Sequence, residues 1–269
     1  MKKLFFCIFF LCASMVFAET LKTIQDKKVL RVGVYAEQPP FSTKTSEGYQ
    51  GFEVELAQAL ASGIFPNGGG KIEFISVNDG DRIPFLQNDT VDLVIATITK
   101  TPERERLIDF SIPYFTVNTA ILTRKADKIT KLSDLADKTI IVEKNSIAEA
   151  YFDAKGYKLL TCSGAMSCYN LLKKGQGDGF ANDNLIVLAY PVIDSSVEIG
   201  IKNIGSTDLL GIGVKKGNQE LLEFINAELI KLSKGGFFAK AFNDTLDPFY
   251  KGTAEKKYFL LDDLYRMFM

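Results

Sequence analysis

Along the chain, short apolar runs alternate with stretches whose apolar positions recur every third or fourth residue, so that strand and amphipathic helix follow one another. Lys28–Tyr35 (KVLRVGVY) reads as a buried strand and Gly51–Gly63 (GFEVELAQALASG) as a helix closed by glycine. Lys71–Val77 reads as a strand, Asp81–Asn88 as a short helix and Val91–Thr99 as a strand. A further helix runs from Pro102 to Leu107, with Thr101 as its N-cap. The same grammar restarts after Pro113-Tyr114. Strands at Lys138–Lys144, Tyr157–Ser163 and Gly177–Asp183 are each followed by a helical pattern, over Ser146–Gly156, Met166–Gly175 and Asn184–Tyr190. The chain then closes with helical patterns over Gln219–Gly236 and Phe237–Leu246 and shows no third sheet. This repetition predicts an α/β protein of two lobes, each on a parallel or mixed sheet, with the C-terminal helices returning to the first. Crossings near Thr116–Ala120 and Ser206–Leu210 make a two-strand hinge. The expected division is lobe I over 19–117 plus 209–269 and lobe II over 118–208.

Residues 1–18 break this grammar. Lys2 and Lys3 precede the apolar run LFFCIFFLCASMVF, and Val16-Phe17-Ala18 precede the polar Glu19. That is the form of a secretory signal peptide with Ala18 the last residue removed, and the run is short of the roughly 20 residues that a spanning helix needs. Neither Cys7 nor Cys12 follows the small residue that a lipoprotein cleavage site wants, so a freely soluble periplasmic product is expected.

Charge and composition then remove whole classes of function. The formal net charge is −1 with basic residues scattered among acids, which argues against a nucleic-acid surface. There is no histidine, so Ser-His and Cys-His triads, His-ligated metal sites and His general bases are excluded together. No metal or cofactor is expected. Of four cysteines, Cys162 and Cys168 lie beyond the signal segment; they form either one small disulfide loop or two separately buried thiols.

In open α/β sheets, ligands bind beyond the carboxyl ends of strands. The first lobe places Tyr35, Gln38, the segment Asn78 to Arg82, Thr97, Thr99 and Arg104 there; the second places Asn145, Ser146, Ile147, Cys162, Ser163 and Asp183. One wall is rich in cations and hydroxyls, and the other supplies a carboxylate and a helix N-terminus. Together they fit a zwitterion. Arg104 falls in the first turn of its helix, where a cation costs roughly 0.3–1 kcal/mol against the macrodipole. Either it meets a ligand carboxylate, helped by Thr99 and the backbone amides at Ser146 and Ile147, or it is an exposed arginine paired with Glu103 or Asp109. Asp183 either takes an ammonium group or N-caps the following helix.

Read together, LRVGVYAEQPPF, GYQGFEVELAQALA, the segment from Asp81 to Tyr114 with its TKTPERE and DFSIPY motifs, KLSDLADKTIIVEKNS, GDGFANDN and LGIGVKKGN resemble the bacterial solute-binding proteins of family 3. These are the polar amino-acid receptors of ABC importers. The likeness runs from about Val29 to Phe242. It implies a type II two-lobe periplasmic-binding-protein fold, an L-amino acid held between the lobes, delivery to a membrane permease, and a monomer without enzymatic activity. It implies that Arg104 and Thr99 hold the ligand carboxylate and Asp183 its amine. DRIPFLQN resembles the segment of aspartate- and glutamate-binding members, where an arginine at the Arg82 position meets the ligand side chain; NDNLIVLA, VKKGNQELLEFI and FFAKAFNDTL resemble cysteine-binding members. Gln38 stands where many members carry an aromatic, and Asn145-Ser146-Ile147 where many carry a glycine and two hydroxyl residues. A dehydratase on the same fold is the enzymatic alternative. It would have to draw its acid or base from Glu37, Glu53, Glu143 or Asp183. A chemoreceptor or adhesin role for the loaded protein is another alternative.

Overall fold

The computed structural model describes residues 21–251 and Ala254, and the signal segment lies outside them. Two five-stranded sheets form the framework. The first runs Lys71–Ser76, Val29–Val34, Leu93–Val94, Gly213–Lys215, Ile108–Phe110 from edge to edge. Its first three strands are parallel, and Gly213–Lys215 is antiparallel to both neighbours. The second runs Lys158–Cys162, Thr139–Glu143, Gly179–Asp183, Phe115–Arg124, Val197–Leu210. Here too three parallel strands are followed by antiparallel ones. The sheets are mixed because Gly213–Lys215 enters the first from the far side after the chain has visited the second lobe.

Two long strands, Phe115–Arg124 and Val197–Leu210, connect the lobes. They pair antiparallel from Phe115↔Leu210 to Arg124↔Val197, with register shifts between Ile199 and Asp208. The helix Gln219–Lys234 then returns to the first sheet, where Leu221, Ile225 and Leu229 join the helix Phe52–Ile64 in one core. The helix Asn184–Ile193 of the second lobe touches that same core through Leu185 and Ala189. Tyr250 Oη fixes this contact by donating to the Leu185 carbonyl at 2.7 Å.

Three local readings change. The strand expected over Val91–Thr99 is only Leu93–Val94. Its parallel partner offers only Val32 and Gly33, and beyond it Thr97 turns into the left-handed region at φ 38°. The helix after Pro102 is a single turn, Pro102–Glu105, and Thr101 caps it by accepting from the Arg104 amide at 3.3 Å. A small antiparallel sheet, Glu37–Gln38, Ser42–Thr45 and Gly48–Gln50, has no counterpart in the apolar pattern, its strands being short and mostly polar. The two cysteines are bonded: Cys162 ends a strand, Cys168 lies in the helix Ala165–Lys173, and their Cα atoms are 5.4 Å apart.

The turn at Thr97 is held by a buried carboxyl. Glu53 Oε1 accepts from the Thr97 amide at 2.6 Å and from Tyr114 Oη at 2.5 Å, while Oε2 has no partner. Oε2 lacks a partner in either form, but a buried charge costs more than a buried neutral hydroxyl, so the neutral acid, with Oε1 as its carbonyl acceptor, is favoured. Burial, opposed by the Tyr114 and Thr97 bonds, pushes Glu53 up to about 7. The folded chain therefore holds a proton that the unfolded chain releases near 4.5, so this contribution is fully present below that pH and is lost as pH rises through 7. Glu53→Gln keeps the acceptor and removes the titration. Relative to the parent it is expected to gain about 3 kcal/mol between pH 4 and pH 8, read from urea unfolding at both; parallel pH profiles would contradict this. Replacing Cys162 and Cys168 by alanine opens a loop with a sequence separation of 6 and is expected to cost about 2 kcal/mol in the same assay.

Candidate functional site

The carboxyl ends of both sheets face one small cavity. From the first lobe come Tyr35, following strand Val29–Val34, then Asp79 and Arg82 after Lys71–Ser76, and Thr97, Thr99 and Arg104 after Leu93–Val94. From the second come Glu143 at the end of its strand, Ser146 and Ile147 at a helix start, Asn182 and Asp183 at the end of Gly179–Asp183, and Ile186 one turn on. The parallel strands bring these loops together because each crossover returns its chain to the same edge.

Arg104 spans the cleft. Its Nη1 donates to the Thr99 carbonyl at 2.9 Å within its own lobe, and Nη2 donates to the Asn145 carbonyl of the other lobe at 3.0 Å. Burial, together with the Arg82 charge, lowers its pKa to about 10, still a full cation at neutral pH. Neither Glu103 nor Asp109 is its ion-pair partner; Asp109 binds Lys216 at 2.6 Å.

Arg82 is not a surface arginine: its side chain is 4% exposed. Its Nη2 lies 3.2 Å from Asp79 Oδ1, and its Nη1 donates to the Ala96 carbonyl at 3.0 Å. Nε has no partner. Burial opposes its charge, but Asp79 and the neighbouring anionic groups outweigh that and raise its pKa. Tyr35 Oη donates to the same Asp79 oxygen. Arg82, Asp79 and Tyr35 thus form a closed set in which the guanidinium already has its counter-ion.

The facing wall carries two buried carboxyls without cations. Asp183 is 8% exposed and occupies the N-cap position of the helix Asn184–Ile193, but its side chain makes no capping hydrogen bond. Its carboxyl has no hydrogen bond or ion pair among the described residues, and burial, with Asp208 and Asp79 adding repulsion, pushes it up to about 8. Glu143 accepts from the Gly164 amide at 2.9 Å through Oε1 and from Asn182 Nδ2 at 3.2 Å through Oε2. At the helix start, Ser146 Oγ accepts from the Glu149 amide at 3.1 Å, and the Ser146 amide is spent on the Glu143 carbonyl at 3.2 Å. That corrects its expected role, and it leaves the Ile147 amide, first in its helix, as the donor without an intrahelical acceptor. Two guanidiniums therefore meet three carboxyl groups in one space.

The cavity gathers Tyr35, Arg82, Thr97, Thr99, Arg104, Ser146, Ile147 and Asp183, as the sequence analysis grouped them. It does not gather Gln38, which is buried in the small three-stranded sheet and lines a neighbouring groove with Ser163 and Met166. Gln38 is held there by its pairing with Ser42 across the turn at Pro39–Phe41. Glu37 is exposed in the same sheet, and Glu53 lies behind Thr97, outside the cavity lining. Asp79 lies within the segment Asn78–Arg82 expected at this strand end, though it had no role assigned; Asn182 and Ile186 were not singled out. For Asp79 the available signal was its i,i+3 spacing to Arg82 after a strand end.

A model of the bacterial extracellular solute-binding proteins, family 3, matches residues 30–246. The ABC transporter glutamine-binding protein GlnH of Bacillus subtilis is 31% identical over 224 residues, 81% of each chain. Two solved structures share the fold at 32% identity and a TM-score of 0.85. One is the solute receptor for L-cysteine of Neisseria gonorrhoeae, covering 90% of this chain and 99% of that one. The other is the cysteine-binding protein of Campylobacter jejuni, covering 89% and 98%.

The closed set around Arg82 generates a prediction. Asp79→Asn strands a buried guanidinium and is expected to cost about 3 kcal/mol of ligand-free stability by urea unfolding, most of it recovered in Asp79→Asn/Arg82→Met. A single variant as stable as the parent would show that Arg82 finds its counter-ion elsewhere.

Proposed function

Because the chain belongs to the bacterial extracellular solute-binding proteins, family 3, we propose that it captures a small polar L-amino acid between its lobes and hands it to the membrane permease of an ABC importer. The observation that carries this reading is the pairing across one cavity of a cationic Arg104 with an Asp183 that has no partner of its own. In this reading Arg104 clasps the α-carboxylate with the Thr99 side chain and the Ile147 amide. Asp183 takes the α-ammonium, whose charge returns its carboxyl to the ionised form. Tyr35, Thr97, Arg82 and Ser146 line the space around the ligand side chain.

Of the two ligand types that the sequence resembles, the small neutral one is the better supported. An acidic side chain would need a free cation, and the Arg82 charge is already met by Asp79. The likeness to two cysteine receptors points the same way. We therefore favour L-cysteine. The protein is read as exported by removal of residues 1–18, periplasmic, monomeric, and acting by binding rather than catalysis.

Closure follows from differential contact. The Arg104–Asn145 bond joins the lobes, and a zwitterion touching both walls favours the closed form by what closure adds to its contacts. Micromolar affinity corresponds to about −8 kcal/mol, and leaving a ligand carboxylate without its guanidinium removes roughly 2–5 kcal/mol of that. The test is a thermal-shift screen of the protein amino acids on the parent and on Arg104→Ala. At 100 times its dissociation constant a ligand adds about 2.7 kcal/mol, so L-cysteine is expected to raise the melting temperature of the parent. The variant is expected to show no shift with any amino acid while its ligand-free melting stays near the parent value. Ordinary amino-acid affinity in Arg104→Ala would remove the basis of this reading.

A further inference from the structure

We infer that Glu143 is the residue that sets side-chain specificity, turning away anionic side chains and receiving an uncharged hydrogen-bond donor such as a thiol or hydroxyl. This deepens the amino-acid-binding reading and rests on it.

Glu143 is 3% exposed, lines the cavity, and has no cation within ion-pair distance among the described residues. Each oxygen has one protein donor, the Gly164 amide on Oε1 and Asn182 Nδ2 on Oε2, so each keeps a lone pair free. Both donors are themselves fixed. Gly164 sits at φ +80°, a conformation suited to glycine, between the bridged Cys162 and Cys168, which pin its loop. Asn182 accepts the Asp183 amide at 2.8 Å through its own oxygen, leaving only its nitrogen for Glu143. The carboxyl is therefore held in place by a built frame rather than left on a mobile chain.

Charge accounting gives the frame its consequence. Arg82 and Asp79 satisfy each other, and a bound zwitterion satisfies Arg104 and Asp183; Glu143 remains. An acidic side chain entering this space would meet Glu143 on one wall and Asp79 on the other, with no uncommitted cation. Like charges brought together in a water-poor site are strongly unfavourable. A neutral donor has an acceptor waiting. The groups facing Glu143 are Tyr35, Asp79 and Arg82 from the first lobe and Asn182 and Tyr190 from its own. Burial and Asp79 push the Glu143 carboxyl up to about 7. Below that pH it becomes a neutral acid, so its hostility to a second carboxylate fades.

The experiment is calorimetric titration of the full chain with L-cysteine, L-serine and L-aspartate at pH 8 and pH 5.5, on the parent, Glu143→Gln and Arg104→Ala. The parent is expected to prefer L-cysteine over L-aspartate by about a hundredfold or more at pH 8, and by a smaller ratio at pH 5.5. Glu143→Gln is expected to narrow the pH 8 ratio by about tenfold, L-aspartate gaining and L-cysteine losing, and to flatten its pH dependence. A parent that prefers L-aspartate, or a ratio untouched by Glu143→Gln in a variant that unfolds normally, would overturn the inference and leave amino-acid binding intact. Binding insensitive to Arg104→Ala would instead defeat the reading on which it rests.

Discussion

The structure turns on unlike charges held apart on two facing walls and kept out of water. Arg104 is anchored to its own lobe through Thr99 and reaches the other through Asn145, while Asp183 lies opposite with its carboxyl uncommitted. A buried carboxyl without a partner is costly, and such groups persist where something outside the chain completes them. Under the proposed function, a zwitterion would supply a carboxylate for one wall and an ammonium for the other, and would do so only when the walls are close.

The rest of the fold serves that arrangement. Parallel strands deliver their loops to one edge of each sheet, so the two edges can oppose each other. The paired strands Phe115–Arg124 and Val197–Leu210 connect the lobes while leaving that edge open to approach. The left-handed turn at Thr97, fastened by the Glu53 carboxyl, carries the chain from strand Leu93–Val94 toward the cleft. The disulfide loop does similar work on the other side, holding the Gly164 amide against Glu143. Buried carboxyls at Glu53, Glu143 and Asp183, all raised in pKa by burial first, make the site a place where stability is given up for recognition.

Much of this was legible from apolar periodicity. The alternation of strands and helices located both sheets, and the odd cation in a helix's first turn marked Arg104 before any geometry. Spacing alone could not separate Arg104 the ligand contact from Arg104 the surface residue, because a helical arginine looks the same in both settings. What periodicity missed were features fixed by tertiary contact. Strand Leu93–Val94 ends where its pairing with Val32 and Gly33 stops, not where β-branched residues stop. Gln38 follows Tyr35 closely in sequence, yet the turn through Phe41 takes it into another sheet. Asp79 pairs with Arg82 within its own segment, which the i,i+3 spacing allows, but the arrival of Tyr35 from the neighbouring strand end is written in no single segment. Asn182 carries no signal of its own, since its role depends on Glu143 lying on the adjacent strand.

The most direct test of the two-walled grip lies in the ligand rather than the protein. Titration with L-cysteine, its methyl ester and its N-acetyl derivative removes the ligand's carboxylate charge or its ammonium charge one at a time. Each modification leaves one buried protein charge unanswered, and each is expected to weaken binding by at least about thirtyfold. A blocked derivative that binds as tightly as the free amino acid would mean that one of the two walls plays no part in holding it.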